Sequence, residues 1–141
     1  MSAADSTFLA IAQAAVDAGM VEARNAGINV AVVVLDRSFT LAAAQRMDAA
    51  YPTTVPVAQA KAHTALNFRS ATADLVARIS AENRRALQTL RNELLFVGGG
   101  VPLVRHGDLI GAVGVSGGSE DDDIRCAEAA ARAVAAGLAP V

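Results

Sequence analysis

The 141-residue sequence predicts a single α+β domain, in which helices pack on a mostly antiparallel sheet of five strands. Three observations carry that prediction. Short apolar, largely β-branched runs come in pairs joined by tight-turn residues, the pattern of hairpins. Apolar residues at helical spacing open and close the chain. Serine, threonine and glycine stand where helices would start and stop. No repeat, linker or composition shift divides the sequence, so one domain spanning residues 1–141 is expected.

Ser6 or Thr7 caps a first helix to about Ala26, with Phe8, Ile11, Ala12, Ala15 and Ala18 on its apolar side. Gly27 ends it, because glycine accepts the left-handed conformation of a helix C-terminus. "INVAVVVLD" (Ile28–Asp36) reads as a buried strand, "DRSF" (Asp36–Phe39) as a turn and "TLAAAQRM" (Thr40–Met47) as the returning strand. A proline-containing loop, Asp48–Pro56, leads to a helix from about Val57 to Phe68, capped by Thr53 or Thr54. Ala58, Ala62, Ala65 and Leu66 form its apolar stripe. Gln59, His63 and Asn67 share another face, with Lys61 and Thr64 near its edge. Ser70 caps a short helix through Ile79, and Ala81–Leu90 forms a basic, exposed one.

"ELLFV" (Glu93–Val97) is expected as the third strand. Gly98–Gly100 interrupt it, "VPLVR" (Val101–Arg105) resumes, "HGD" turns, and "LIGAVGVS" (Leu109–Ser116) returns. Ser119 caps the last helix, and the acidic run Glu120–Asp123 suits the positive end of its dipole. Ile124, Ala127, Ala131, Val134 and Leu138 are its expected buried side.

Composition excludes several functions. The net charge of −2, with Lys and Arg scattered, is no footprint for nucleic acid. One cysteine, Cys126, excludes an internal disulfide and a cysteine-based zinc cage, and a packed thiol is its expected state. No leader sequence opens the chain and no apolar run approaches the roughly 18 residues of a membrane span, so a soluble, cytoplasmic protein is expected. Hydrophobic residues reach 53% while aromatics are 4%. Small aliphatic side chains must therefore fill the core, and a homo-oligomer would bury further surface.

The glycine-rich tract Val97–Gly118 invites a phosphate-binding reading, but no lysine follows the glycines as a phosphate loop requires. A dinucleotide fingerprint would lie after the first strand, not inside a late one. Two uses remain open. The glycines bend strands and admit close neighbours. Alternatively, backbone N–H groups at Gly98, Gly99, Gly100, Gly117 and Gly118 cradle an anion, most simply a carboxylate.

"FVGGGVPLVRHGDLIGAVGVSGGSEDDD" (Phe96–Asp123) resembles the signature of the GlcG/HbpS-like haem-binding family, which is also similar to the C-terminal domain of PduO-type proteins. "RMD" (Arg46–Asp48) and "AQAKAHTA" (Ala58–Ala65) match further recurring segments, so the resemblance covers nearly the whole chain. It implies a profilin-like α/β/α arrangement and an oligomer. It also makes haem the candidate cofactor, with no other expected. Some members handle haem, whereas others accompany enzymes of small-acid catabolism. The "DRSF" turn departs from the family's glycine-rich one.

Among residues able to carry chemistry, His63 stands out, since imidazole can shuttle a proton near neutrality or ligate iron. Its bland alternative is a hydrogen-bonded helix histidine. Lys61 lies roughly 200° from His63 around the helix, so the two do not share a face. It either holds a carboxylate or is a surface lysine. Arg46 and Asp48 form an ion pair or a fork for a carboxylate. Tyr51, on the following loop, is a candidate acid or iron ligand, and Ser116 completes the ligand-binding set at the end of the last strand. His106, in a tight turn, is read as a surface residue.

Two functions follow. One is a small-ligand-binding protein, with haem or a small organic ligand as partner. The other is a cofactor-independent hydratase, isomerase or lyase on a small oxygenated acid. It would use His63 as acid/base, Arg46 or Lys61 as carboxylate anchor, and Gly98–Gly100 as the oxyanion site.

Overall fold

A computed structural model of the chain describes residues 7–136. The elements follow in the order α1 (Phe8–Ala26), β1 (Ala31–Asp36), β2 (Leu41–Arg46), α2 (Thr54–Phe68), α3 (Thr72–Arg78), α4 (Ala81–Leu90), β3 (Gly100–Arg105), β4 (Asp108–Ser116) and α5 (Glu120–Ala135). The strands form one antiparallel sheet in the order β2-β1-β4-β3.

Period-two alternation divides the sheet between two layers of helix. Val30, Val32, Val34, Val113 and Val115 face α1 and α5, with Ala12, Ala15, Val16, Cys126, Ala127 and Ala130 packed among them. Ala31, Val33, Leu35 and Ala112 face α2, which meets them with Ala58, Ala62, Ala65 and Leu66. The α/β/α layering is thus written in the β1 sequence, which is apolar on both faces because both are covered.

Helix ends follow their signals where a side chain can reach. Thr7 accepts from the Ala10 N–H, Ser80 from that of Asn83 and Ser119 from that of Asp122. Gly27 takes φ 70° beyond α1. In the β3–β4 hairpin His106 and Gly107 take φ 54° and 82°, the mirror-image turn that suits strand twist. Three expected details differ. α2 begins at Thr54 rather than Val57, its start secured by the Thr54 hydroxyl donating to the Tyr51 carbonyl at 2.6 Å. Ser70 does not cap α3; Ala71 stands at that position, and the Ser70 hydroxyl accepts from Arg78. The inner side of α5 centres on Asp123, Cys126, Ala127, Ala130 and Val134, with Ala131 only half-buried. Ser6 and Leu138 lie outside the described residues.

The larger correction concerns the sheet. Among the described residues it has four strands, because Glu93–Val97 is not one of them. Leu94 and Phe96 turn inward to pack with Leu75, Phe68 and Ile79 beneath α3 and α4. The Leu95 N–H donates to the Thr64 hydroxyl at 2.8 Å, not to a neighbouring strand. The segment alternates buried and half-buried residues as a strand would, so its periodicity imitates one without the ladder.

Candidate functional site

The sheet register places the candidate residues at two ends of the molecule. Ala31 pairs with Arg46 on one side and Ser116 on the other, so these lie at the end where α2 begins. Asp36 pairs with Gly111 at the opposite end.

At the first end the Arg46 guanidinium donates to the carbonyls of Ala50, Met47 and Asp48, at 2.7, 3.0 and 3.2 Å. It organises the turn into α2. Its contact with Asp48 is to the backbone, and no Arg46–Asp48 ion pair forms among the described residues. Tyr51 is 78% exposed and rims a 300 Å³ recess with Asn29, Thr54 and Gly117. Ser116 is buried beside it.

Lys61 points the other way, into the protein. Its side chain crosses from α2 to α5, where Nζ donates to Asp123 Oδ2 at 3.0 Å and to the Val115 carbonyl at 2.9 Å. Asp123 Oδ1 accepts the Gly118 N–H at 2.9 Å, and the Gly117 N–H lies close enough to favour the carboxylate too. The glycine N–H groups at the start of α5 therefore do cradle a carboxylate, and it is the chain's own. Burial pushes the Asp123 carboxyl up, while Lys61 and the two N–H groups pull it back.

Gly98, Gly99 and Gly100 are buried beneath this pair. The Gly100 N–H donates to the Thr72 hydroxyl at 2.9 Å. A Cβ on Gly100 would lie 2.2 Å from the Lys61 carbonyl oxygen. Close approach of α2 is what these glycines permit. In the sequence Lys61 stands three residues after Ala58 and four before Ala65, so it flanks the apolar stripe without lying inside it.

His63 projects from the outer side of α2, with Gln59 and Asn67 one turn away, as the spacing predicts. The His63 ring centroid is 4.7 Å from that of Phe39, which the β1–β2 turn delivers with φ 65°. Nδ1 is buried and has no hydrogen-bond partner among the described residues. Beside the ring a 260 Å³ recess is lined by Pro56, Gln59, Ala60, His63 and Glu93. Burial lowers the His63 pKa; Glu93 opposes the change and Arg91 adds to it. The Glu93 carboxyl is itself held below its ordinary range, first by a backbone N–H and then by Arg91.

His63 is accordingly neutral at neutral pH. The sign of the linkage is fixed by the depressed value: the unfolded chain protonates near 6.5, before the folded one does. The stabilisation is present above that pH and lost as pH falls through the folded value. An NMR titration of the His63 ring is expected to give a midpoint below 6.5, with unfolding free energy declining in the same window. A midpoint at or above 6.5 would contradict the burial argument.

Lys61 and His63 thus do not share a site, and neither meets Arg46, Asp48 or Tyr51. Phe39, Arg37 and Glu93, all near His63 or its helix, carried no local signal that would have nominated them. Cys126 is packed among α1 and the sheet, its thiol pushed up to about 11 by burial, a structural position. No group of three or more metal-binding side chains gathers among the described residues, and no helix there is long and apolar enough to cross a membrane.

Comparison with known proteins matches this architecture. The family model for haem degrading protein HbpS-like matches residues 8–132. Protein GlcG of Escherichia coli K12 is 36% identical over 106 residues, covering 75% of this chain and 78% of that protein. A crystal structure of a Streptomyces reticuli HbpS double mutant superposes with a TM-score of 0.80 at 30% identity, over 88% of this chain and 84% of that one. The crystal structure of a PduOC:haem complex gives 0.81 at 29% identity, over 95% and 94%.

Proposed function

The chain belongs to the HbpS-like family, and we propose that it is a small-ligand-binding protein whose ligand is haem, taken up at the outer side of α2 around His63. The observation that carries the reading is the state of that imidazole: neutral, half-buried, against an aromatic ring, with a buried nitrogen that no group among the described residues satisfies. A neutral imidazole is the form that ligates a metal. The residues present therefore fit the group, with His63 holding the iron and Phe39 offering a ring beside it. Haem, when bound, supplies a redox-active iron in a planar apolar macrocycle. The solved PduOC:haem complex of the same fold supports the choice of ligand. Self-association belongs to this reading too, and Leu9 and Leu41, 64% and 52% exposed, are the apolar surface that supports it.

Adding haemin to the protein is expected to give a Soret band whose position reports imidazole ligation. His63→Ala should leave the circular dichroism unchanged and weaken haemin binding at least about tenfold, the effect of losing one good ligand bond. An unchanged Soret band and affinity in that variant would overturn His63 as the ligand.

A further inference from the structure

At the far end of α2, one turn beyond His63, a second recess of 430 Å³ opens between the β1–β2 turn, the C-terminus of α2 and the β3–β4 hairpin. Arg37 and Arg69 line it from opposite elements, Asn67 adds an amide, Phe39 forms a wall, and Leu66 contributes an apolar floor. Neither guanidinium has a hydrogen-bond or ion-pair partner among the described residues. Asp108 also lines the recess, so two cations face one carboxylate and the recess keeps a positive excess.

Backbone conformation singles out the same place. Phe39 and Arg69 take φ 65° and 52°, and both line this recess. Arg69 caps the C-terminus of α2, its N–H donating to the Ala65 and Leu66 carbonyls. Glycine is the usual residue there, and a cation one residue earlier would complement the helix dipole with no left-handed strain. Arginine at this position gains nothing for the helix that glycine would not provide. It does aim a planar, five-donor group at the recess.

From these observations we propose that the Arg37–Arg69 recess is a carboxylate-binding subsite, with an apolar wall for a planar or aliphatic body. Arginine's fork matches the two oxygens of a carboxylate, and Phe39 and Leu66 offer apolar contact to the body that carries it. Phe39 joins this recess to the His63 site, so the carboxylate has two chemical sources: the propionates of a bound porphyrin, or a free small acid. The subsite itself does not depend on the haem reading.

Two arms separate the sources. In the first, glutarate is titrated into the protein, with the arginine side-chain N–H resonances and calorimetry as readouts. Arg37→Gln and Arg69→Gly are each expected to weaken binding at least about tenfold, one or two charge-assisted hydrogen bonds' worth. Arg69→Gly should keep or raise the melting temperature, since glycine accepts φ 52°. Arg24→Gln, at an exposed arginine of α1 that does not line the recess, should bind glutarate as the parent does. In the second arm, haemin and haemin dimethyl ester are compared. The arginine variants should lose affinity for haemin but not for the ester. A response in the first arm alone assigns a free acid, and one in the second alone assigns propionates. Arginine variants that bind glutarate, haemin and the ester as the parent does would overturn the subsite, even if the parent binds no haem.

Discussion

Lys61→Met is expected to cost about 3–5 kcal/mol of folding stability, the range for removing one partner of a buried ion pair. The residue is 2% exposed and Asp123 3%, so water cannot take over when the ammonium is removed. Methionine fills the space of the lysine stem. What is lost is the charge and the donors to Asp123 Oδ2 and the Val115 carbonyl. Asp123 would keep the Gly118 N–H but sit as a carboxylate with no cation against it. Burial, which already pushes its pKa up, would then act without the Lys61 ammonium to oppose it. A raised folded value means that the folded variant takes up a proton before the unfolded chain does as pH falls. The deficit against the parent should therefore shrink in acid and be largest at neutral pH. Urea unfolding at the two pH values measures both effects, and Lys61→Met/Asp123→Leu should recover much of the loss by removing the stranded charge. A single-variant loss under about 1 kcal/mol at neutral pH would show that the pair is solvated rather than buried.

That ion pair also shows where sequence reading reaches its limit. The offset of Lys61 from His63 was legible from helical periodicity alone, and the two do face opposite ways. Which one faced inward was open, because lysine's partner stands 62 residues away on another helix. The glycine tract divides similarly. Its strands, its hairpin turn and the Ser119 cap follow from local chemistry and appear as expected. The anion cradle at Gly117–Gly118 was legible as geometry, but nothing local identified its occupant as Asp123, five residues on from Gly118. Glu93–Val97 failed differently: Leu94 and Phe96 alternate because a small cluster under α3 and α4 draws them in, and alternation cannot tell that from a ladder. Phe39 and Arg69 were missed because left-handed φ at a non-glycine residue leaves no sequence mark.

Gly114→Ala is expected to be at least as damaging as the lysine change. Gly114 sits on the central strand β4, paired with Val33 of β1 and Gly100 of β3. A Cβ there would lie 1.8 Å from the Ala58 carbonyl oxygen, 2.8 Å from the Ala62 nitrogen and 2.9 Å from the Ala58 carbonyl carbon. All three are backbone atoms of α2, so no rotamer change relieves the contact. An ordinary contact begins near 3.4 Å, and α2 or the strand must move apart by more than an ångström. The movement would unseat Ala58, Ala62 and Ala65 from the sheet and pull Lys61 from the Val115 carbonyl. Overpacking usually costs about 1–3 kcal/mol, and more where backbone must shift, so a loss above about 3 kcal/mol is expected. Gly19→Ala is the control. Its Cβ would meet nothing closer than 3.4 Å, and alanine favours the helix interior by up to about 1 kcal/mol, so that variant should be neutral or stabilised. Thermal unfolding of the two side by side separates seating from propensity. Equal melting temperatures would mean that α2 does not rest on the strand backbone. The contrast also accounts for the composition. A helix seated this close needs alanine on its inner side and glycine beneath it, so few aromatics and a glycine tract in the central strands are two consequences of one packing solution.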